Sequence, residues 1–172
     1  MDIWTEKLEP RHIYALKRWI GRSSGVLTSN DFPNNEDDLH NWLEWRSDPG
    51  RLDCLVLAYE TPVGLGGFRQ RDKLQKVEFY LLLGEVGYNP IRIATYATQR
   101  ILARAFTDYS RDEMIARVYS SHEDYIEVLS KMGFSKIAEE SELTILAIKK
   151  SQFMDSKYLF LSDSSADNHR SN

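Results

Sequence analysis

The chain has 172 residues, of which 42% are hydrophobic, 12% aromatic and 28% charged, a balance typical of one globular domain with a real core. The net charge of −4 makes nucleic acid a poor partner, and no apolar run is long enough to span a bilayer. Because the N-terminus lacks a signal-peptide pattern, we expect a cytoplasmic protein with no membrane partner. The four histidines show no metal-ligand spacing, so no metal site is predicted.

The first elements along the chain are predicted to be a strand and two helices. The strand is Ile3–Leu8, and the first helix starts at Glu9-Pro10 and ends at Gly21. After a loop over 22–34, the second helix runs from Asn35 to about Arg46, with acidic residues in its first turn that complement the helix dipole. The two helices carry most of the tryptophans.

The middle of the chain reads as an antiparallel meander of three strands. Leu52–Glu60 and Val63–Gln70 are joined by a tight turn at Thr61-Pro62, and Val77–Leu83 is the third strand. Glycines inside the second strand indicate bulges or close approach to the backbone, namely Gly64, Gly66 and Gly67. The third strand is almost continuously apolar, which is typical of a central strand.

A short loop leads from this central strand into a long helix. Asn89 suits the N-cap and Pro90 the first helical position, and the helix runs to about Tyr109. Free N–H groups and the positive end of the dipole make such a helix start a natural anion site, to which Arg92 adds a charge. An ordinary strand–helix unit that binds nothing explains the same pattern.

The last third of the domain adds a strand, a helix and a hairpin. The strand is Glu113–Ser120, the helix is capped by Ser120-Ser121 and ended by Gly133, and the hairpin pairs Ser135–Glu139 with Leu143–Lys149. The chain therefore reads as a single domain over 1–150, followed by a C-terminal extension over 151–172 that we expect to be largely disordered towards its end.

The predicted order β-α-α-β-β-β-α-β-α-β-β resembles that of the GNAT (Gcn5-related) N-acetyltransferase family over roughly residues 3–150. Four segments match family features: Pro62–Phe68, Arg92–Ala97, Ala105-Phe106 and Val128–Phe134. The two short Trp-bearing helices look most like the branch that acts on protein N-termini, small amines and amino sugars. The resemblance implies an α/β fold with a mixed, mostly antiparallel central sheet flanked by helices.

The same resemblance implies acetyl-CoA as the acyl donor, bound between the central strand, the long helix start and the following helix. The implied cofactor-binding residues are Leu81, Leu82, Leu83, Asn89, Ile91, Arg92, Ile93, Ala94, Thr95 and His122. The strand N–H groups would polarise the thioester carbonyl. The chain departs from the family at Arg92, where a glycine usually stands, and at Leu129, where the family often has its acid tyrosine.

Glu78 is the candidate general base, because it is the one acid in an apolar strand and burial would raise its pKa. Tyr80 shares its face and is a candidate to orient the amine or relay a proton, and Trp45 is a candidate substrate contact. The alternative for Glu78 is an ion pair with Arg69 or Arg71.

The leading hypothesis is an acyl-CoA-dependent N-acetyltransferase acting on a small amine or amino sugar. A protein N-terminal or lysine acetyltransferase and a non-catalytic GNAT-fold binding module are the alternatives. Cys54 looks buried, so we do not expect an acyl-enzyme. A homodimer through the last strand is possible, but its apolar residues fit an intramolecular sheet equally well: Leu143, Ile145, Leu146 and Ile148.

Overall fold

The computed structural model describes residues 2–21, 27–28, 32–44, 48–71, 76–85 and 87–153. The elements follow the predicted order. They are β1 (Ile3–Lys7), a 3-10 turn (Pro10–His12), α1 (Ile13–Trp19), α2 (Glu36–Glu44), β2 (Leu52–Ala58), β3 (Thr61–Arg71), β4 (Lys76–Leu83), α3 (Pro90–Thr107), β5 (Glu113–Tyr119), α4 (Glu123–Lys131), β6 (Ser135–Glu140) and β7 (Leu143–Lys149). No described helix is long and apolar enough to cross a membrane.

One sheet carries these strands in the order β1-β2-β3-β4-β5-β7-β6. Neighbours pair antiparallel except β4 and β5, which are parallel. The predicted mixed, mostly antiparallel sheet is therefore confirmed. Within the described sheet β7 lies between β5 and β6 and is therefore not an edge strand. Its apolar residues Ile145, Leu146 and Ile148 are buried within this chain.

The sheet separates two apolar cores, and β4 contributes alternate residues to each. Phe79 and Leu81 pack with α3 and α4, whereas Tyr80 and Leu82 pack with α1 and α2. This division follows from the two-residue repeat of a strand. It also places Glu78 on the same side as Tyr80, as predicted.

The prediction of a turn at Thr61-Pro62 between β2 and β3 was wrong. Tyr59 and Glu60 form this turn, with φ angles of 49° and 66°. Positive φ at both central residues suits a two-residue hairpin in a twisted sheet. Pro62 instead lies inside β3, next to a register shift in β2 where a missing N–H is tolerated.

The start of α4 also differs from the prediction. Its N-cap is His122, whose side chain makes no cap bond, so the predicted serine cap was wrong. The Ser120 hydroxyl is instead paired with Thr144 Oγ1 of β7 at 2.8 Å. The end of α4 agrees with the prediction, since Gly133 has a φ of +108°.

The described chain continues past residue 150 for three residues. Phe153 is buried, and its ring centroid lies 5.5 Å from that of Phe106. The start of the extension therefore packs on the core formed by α3. Residues 154–172, where disorder is expected, lie outside the described part of the chain.

Candidate active site

The sheet opens at its only parallel neighbours within the described strands, β4 and β5. Their register contains two pairs, Glu78 with Ile115 and Phe79 with Ala116. Beyond these pairs β4 continues to Leu83, but it no longer pairs with β5. The residues that close the gap are Leu27 and Thr28 of the α1–α2 connection, and we call this dipeptide the wedge.

A cleft of about 490 Å³ begins where this gap meets the starts of α3 and α4. Its apolar lining comes from both sides of the gap and from the first turn of α3: Leu27, Leu83, Pro90, Ile91 and Tyr125. Its polar lining is mostly acidic and lies on the β4–α3 loop and at the start of α4: Glu85, Ser121, His122, Glu123 and Asp124. Arg18 forms an ion pair with Glu85 and offsets one of the carboxylates.

The predicted anion site at the start of α3 has most of its amides engaged. The Arg92 N–H donates to Asn89 Oδ1 at 3.1 Å, and the Ile93 N–H donates to the Asn89 carbonyl at 3.2 Å. Pro90 has no N–H. The Ile91 N–H and the exposed Arg92 side chain are left to contact an anion at this turn.

The predicted cofactor residues therefore fall into three groups. Leu83, Ile91 and His122 line the cleft, and Asn89 and Arg92 are exposed beside it. The others face elsewhere: Ile93 and Ala94 are buried in the core, Thr95 bonds back to the Ile91 carbonyl, Leu81 contacts the wedge, and Leu82 packs under α1 and α2. Trp45 lies outside the described residues.

The opposite side of β4 carries the predicted catalytic residues. Glu78 is 5% exposed, and the β3 residue opposite it is Arg69. The guanidinium of Arg69 also lies over the ring of Tyr80, 5.9 Å from its centroid. The register therefore puts Glu78 opposite Arg69, one of the two arginines named as its alternative partner. Glu78 occupies the same position whether it forms an ion pair or acts as a base. Phe32, Trp42, Arg69 and Tyr80 line a narrow crevice on this side.

Tyr80 takes part in a buried network that links β4 to β2 across β3. Its hydroxyl donates to Asp53 Oδ1, and Asp53 Oδ2 lies 2.6 Å from Arg51 Nε. The guanidinium of Arg51 stacks over Trp42 at 4.3 Å from the ring centroid. Gly67 lies between Asp53 and Tyr80 in the register, and a Cβ there would be 1.9 Å from the Leu52 carbonyl oxygen. The missing side chain lets the strands come this close.

Burial, together with this network, keeps Tyr80 protonated. Burial raises the pKa of Tyr80 well above its ordinary value, and the adjacent Asp53 raises it further. Tyr80 therefore remains a neutral phenol whose hydroxyl proton is donated in a hydrogen bond to Asp53. It can accept a hydrogen bond from an amine, whereas a role in proton relay would require breaking its bond to Asp53.

The sequence reasoning missed Asp53, Arg51 and Thr28. Asp53 carries the same signal as Glu78, one acid in an apolar strand, and could have been found by it. Arg51 precedes that strand without a distinctive pattern. Thr28 lies in a stretch rich in serine and asparagine, and nothing local marks it as a residue that contacts β4.

The fold and the cleft together define the class of protein. The model of the acetyltransferase (GNAT) domain family matches residues 5–135, so the chain belongs to the GNAT family of N-acetyltransferases. A search of curated protein sequences finds no match.

The chain is also similar to several solved structures. A spermidine N-acetyltransferase SpeG chimera from Vibrio cholerae and hSSAT has a TM-score of 0.71 at 13% identity, covering 90% of this chain and 99% of its own. A putative phosphinothricin N-acetyltransferase has a TM-score of 0.67 at 17% identity, covering 86% and 98%. A domain from Methanocaldococcus jannaschii has a TM-score of 0.67 at 16% identity, covering 86% and 98%. At these identities the likeness is one of fold.

Proposed function

We propose that the chain transfers an acetyl group from acetyl-CoA to a primary amine of a small molecule. The observation that carries the proposal is the position of Glu78, a buried acid at the last paired residues before β4 and β5 separate. A donor bound in the cleft would approach this point along β4. Two structural relatives are named as a spermidine N-acetyltransferase and a putative phosphinothricin N-acetyltransferase, and these names favour the same reaction class.

The donor fits the cleft in part. Leu83 and Ile91 provide an apolar surface for the pantetheine arm of acetyl-CoA. Glu123 and Asp124 oppose phosphate groups, so we place the pyrophosphate outside them, beside Arg92 and the Ile91 amide. The proposal thus gives a charged side chain the role that a glycine-rich backbone has in the family.

The chemistry needs one base and a held amine. The neutral amine attacks the thioester carbonyl carbon, the C–S bond breaks, and an amide and a CoA thiolate form. Glu78 accepts the proton that the amine loses, directly or through water, and the thiolate takes up a proton to leave as the thiol. Tyr80 accepts a hydrogen bond from the amine and orients it.

The proposal keeps the cytoplasmic location that the sequence predicts.

Calorimetric titration of the purified protein with acetyl-CoA tests the donor, and dephospho-CoA serves as a comparison. We expect micromolar binding of acetyl-CoA. A lack of heat up to millimolar donor would overturn the proposal and leave a GNAT-fold protein that binds other ligands.

A panel of acceptors then tests the substrate class. It contains polyamines, amino sugars, amino acids and short peptides with free N-termini, and CoA thiol release is the readout. Turnover of small amines with no turnover of peptides is expected. Turnover of peptides alone would replace the small-molecule acceptor by a protein one.

A further inference from the structure

The wedge Leu27–Thr28 occupies the gap between β4 and β5. The Leu27 N–H donates to the Leu81 carbonyl at 3.3 Å, and the Tyr119 N–H donates to the Leu27 carbonyl at 3.2 Å. The Leu81 N–H donates to Thr28 Oγ1 at 3.0 Å. Thr28 forms an isolated antiparallel bridge with Val118 of β5. The wedge therefore bonds to both strands at the place where they stop bonding to each other.

The bonds of the wedge use the groups that a ligand in this gap would need. Leu81 directs both its N–H and its carbonyl into the gap. An extended chain bearing amides can replace the wedge there, because a strand edge pairs with any such chain. The pantetheine arm of acetyl-CoA carries two amides and ends in a thioester carbonyl. The arm and the wedge therefore compete for Leu81.

The wedge also separates the cleft from the candidate base. Leu27 lines the cleft, and Thr28 is fully buried behind it. Glu78 lies three residues before Leu81 on β4, roughly 10 Å further along the strand. An acyl group that enters from the cleft therefore meets the wedge before it reaches the level of Glu78.

The described bonds between the wedge and the two strands are 3.0 to 3.3 Å long and involve backbone groups and one hydroxyl. Within the described residues, Thr28 adds an isolated bridge to Val118. A ligand that supplies its own carbonyl and amide can form the equivalent bonds to Leu81 in place of the wedge.

We propose that the Leu27–Thr28 wedge is an autoinhibitory contact that acyl-CoA must displace from the β4–β5 gap before the acyl group reaches Glu78. This inference rests on the proposed function. In the described form the gap is closed. The apparent affinity for acyl-CoA is then lowered in proportion to the fraction of molecules in which the gap is open.

Thr28→Val is the variant that tests the wedge. Valine keeps the shape of threonine but removes the oxygen that accepts the Leu81 N–H, so only the closed form loses a hydrogen bond. Leaving that buried amide unsatisfied shifts the population towards the open form. We expect the dissociation constant for acetyl-CoA to fall by about five-fold to a hundred-fold. Thr28→Ser keeps the hydroxyl and serves as the control, with wild-type affinity expected.

Residue-resolved amide exchange on the wild-type protein gives a second test that does not depend on a variant that folds. Binding of acetyl-CoA removes the Leu27 carbonyl from Tyr119, so the Tyr119 amide should exchange faster in the complex. The Leu81 amide should stay protected, because the ligand replaces Thr28 as its acceptor.

The outcomes separate this proposal from the proposed function. Wild-type binding with equal or weaker binding by Thr28→Val overturns the wedge alone, and so does unchanged protection of Tyr119 in the complex. If neither protein binds acetyl-CoA, the proposed function and the wedge fail together. Tighter binding by Thr28→Val, with Thr28→Ser like wild type, supports the wedge.

Discussion

The charged residues on the two sides of β4 differ in burial and in pairing. On the α1/α2 side, Asp53 and Arg51 are buried and joined to each other and to Tyr80. In the cleft, Glu123 and Asp124 are exposed at the start of a helix. Buried charges are tolerated only when they are paired, whereas carboxylates at a helix N-terminus are stabilised by the dipole and by water. The α1/α2 side of β4 is therefore held together by buried contacts among its own residues.

The cleft side, by contrast, is open to solvent at the start of α3, where Asn89, Pro90 and Arg92 are exposed. The amides of Arg92 and Ile93 donate to Asn89, and the Arg92 side chain is exposed. Substitutions on the two sides should consequently differ in kind. Those near Tyr80 should affect folding and chemistry, and those at the α3 start should affect donor affinity alone.

The largest effect is expected from Glu78→Gln. Glutamine keeps the size and hydrogen-bonding ability of the side chain but cannot accept a proton, so kcat should fall by about a hundred-fold to ten-thousand-fold with donor binding unchanged. Steady-state kinetics and calorimetry measure the two quantities. Glu113→Gln, on the exposed end of β5, is the control and should match wild type. An unaffected kcat in Glu78→Gln would remove the base from this side of the sheet.

Gly67→Ala should cost folding stability. A Cβ at this position would lie 1.9 Å from the Leu52 carbonyl oxygen, a backbone atom that cannot move aside without breaking the β2–β3 pairing. We expect the free energy of unfolding in urea to drop by about 3 kcal/mol. Gly87→Ala, in the exposed loop between β4 and α3, meets no atom within 4 Å and should change this free energy by less than about 0.5 kcal/mol. If the two substitutions lower the free energy of unfolding equally, Gly67 is not more closely packed than Gly87.

Arg92→Ala should weaken acetyl-CoA binding by about 1 kcal/mol, a modest loss because the side chain is exposed and its charge is screened. Arg100→Ala, on the same helix and bonded to Tyr96, should leave affinity unchanged. Calorimetric titration of both variants provides the measurement. If both bind like wild type, the donor phosphates do not contact the first turn of α3.

The last prediction concerns the rate at which a thiol reagent labels Cys54 in the folded protein. Burial raises the pKa of its thiol to about 11, although Arg104 beside it acts in the opposite direction. The thiolate fraction at pH 8 is then about one in a thousand, so an aromatic disulfide reagent should label the folded protein slowly and the unfolded protein at once. The labelling rate should rise as pH increases towards the pKa. Rapid labelling of the native protein at pH 8 would show that the core around Cys54 opens readily.

Much of this fold was predictable because its signals are local. The alternation along β4 predicted which residues share the face of Glu78, and Asn89-Pro90 predicted the start of α3. The element order was enough to suggest the family, which the match over residues 5–135 confirms. The turn at Tyr59–Glu60 was missed because neither residue favours positive φ, and the pairing of β2 with β3 imposes that conformation.

The sequence by itself therefore determined the strands, the helices and the presence of one acid in the central strand, since these depend on periodicity and caps within a few residues. Tertiary structure alone decided that Tyr80 meets Asp53 across Gly67, and that Leu27–Thr28 closes the gap beside Leu81. The partners in these contacts are 27 and 53 residues apart in the chain. Their meeting depends on strand register and on where two parallel strands separate, and no local pattern of residues encodes either.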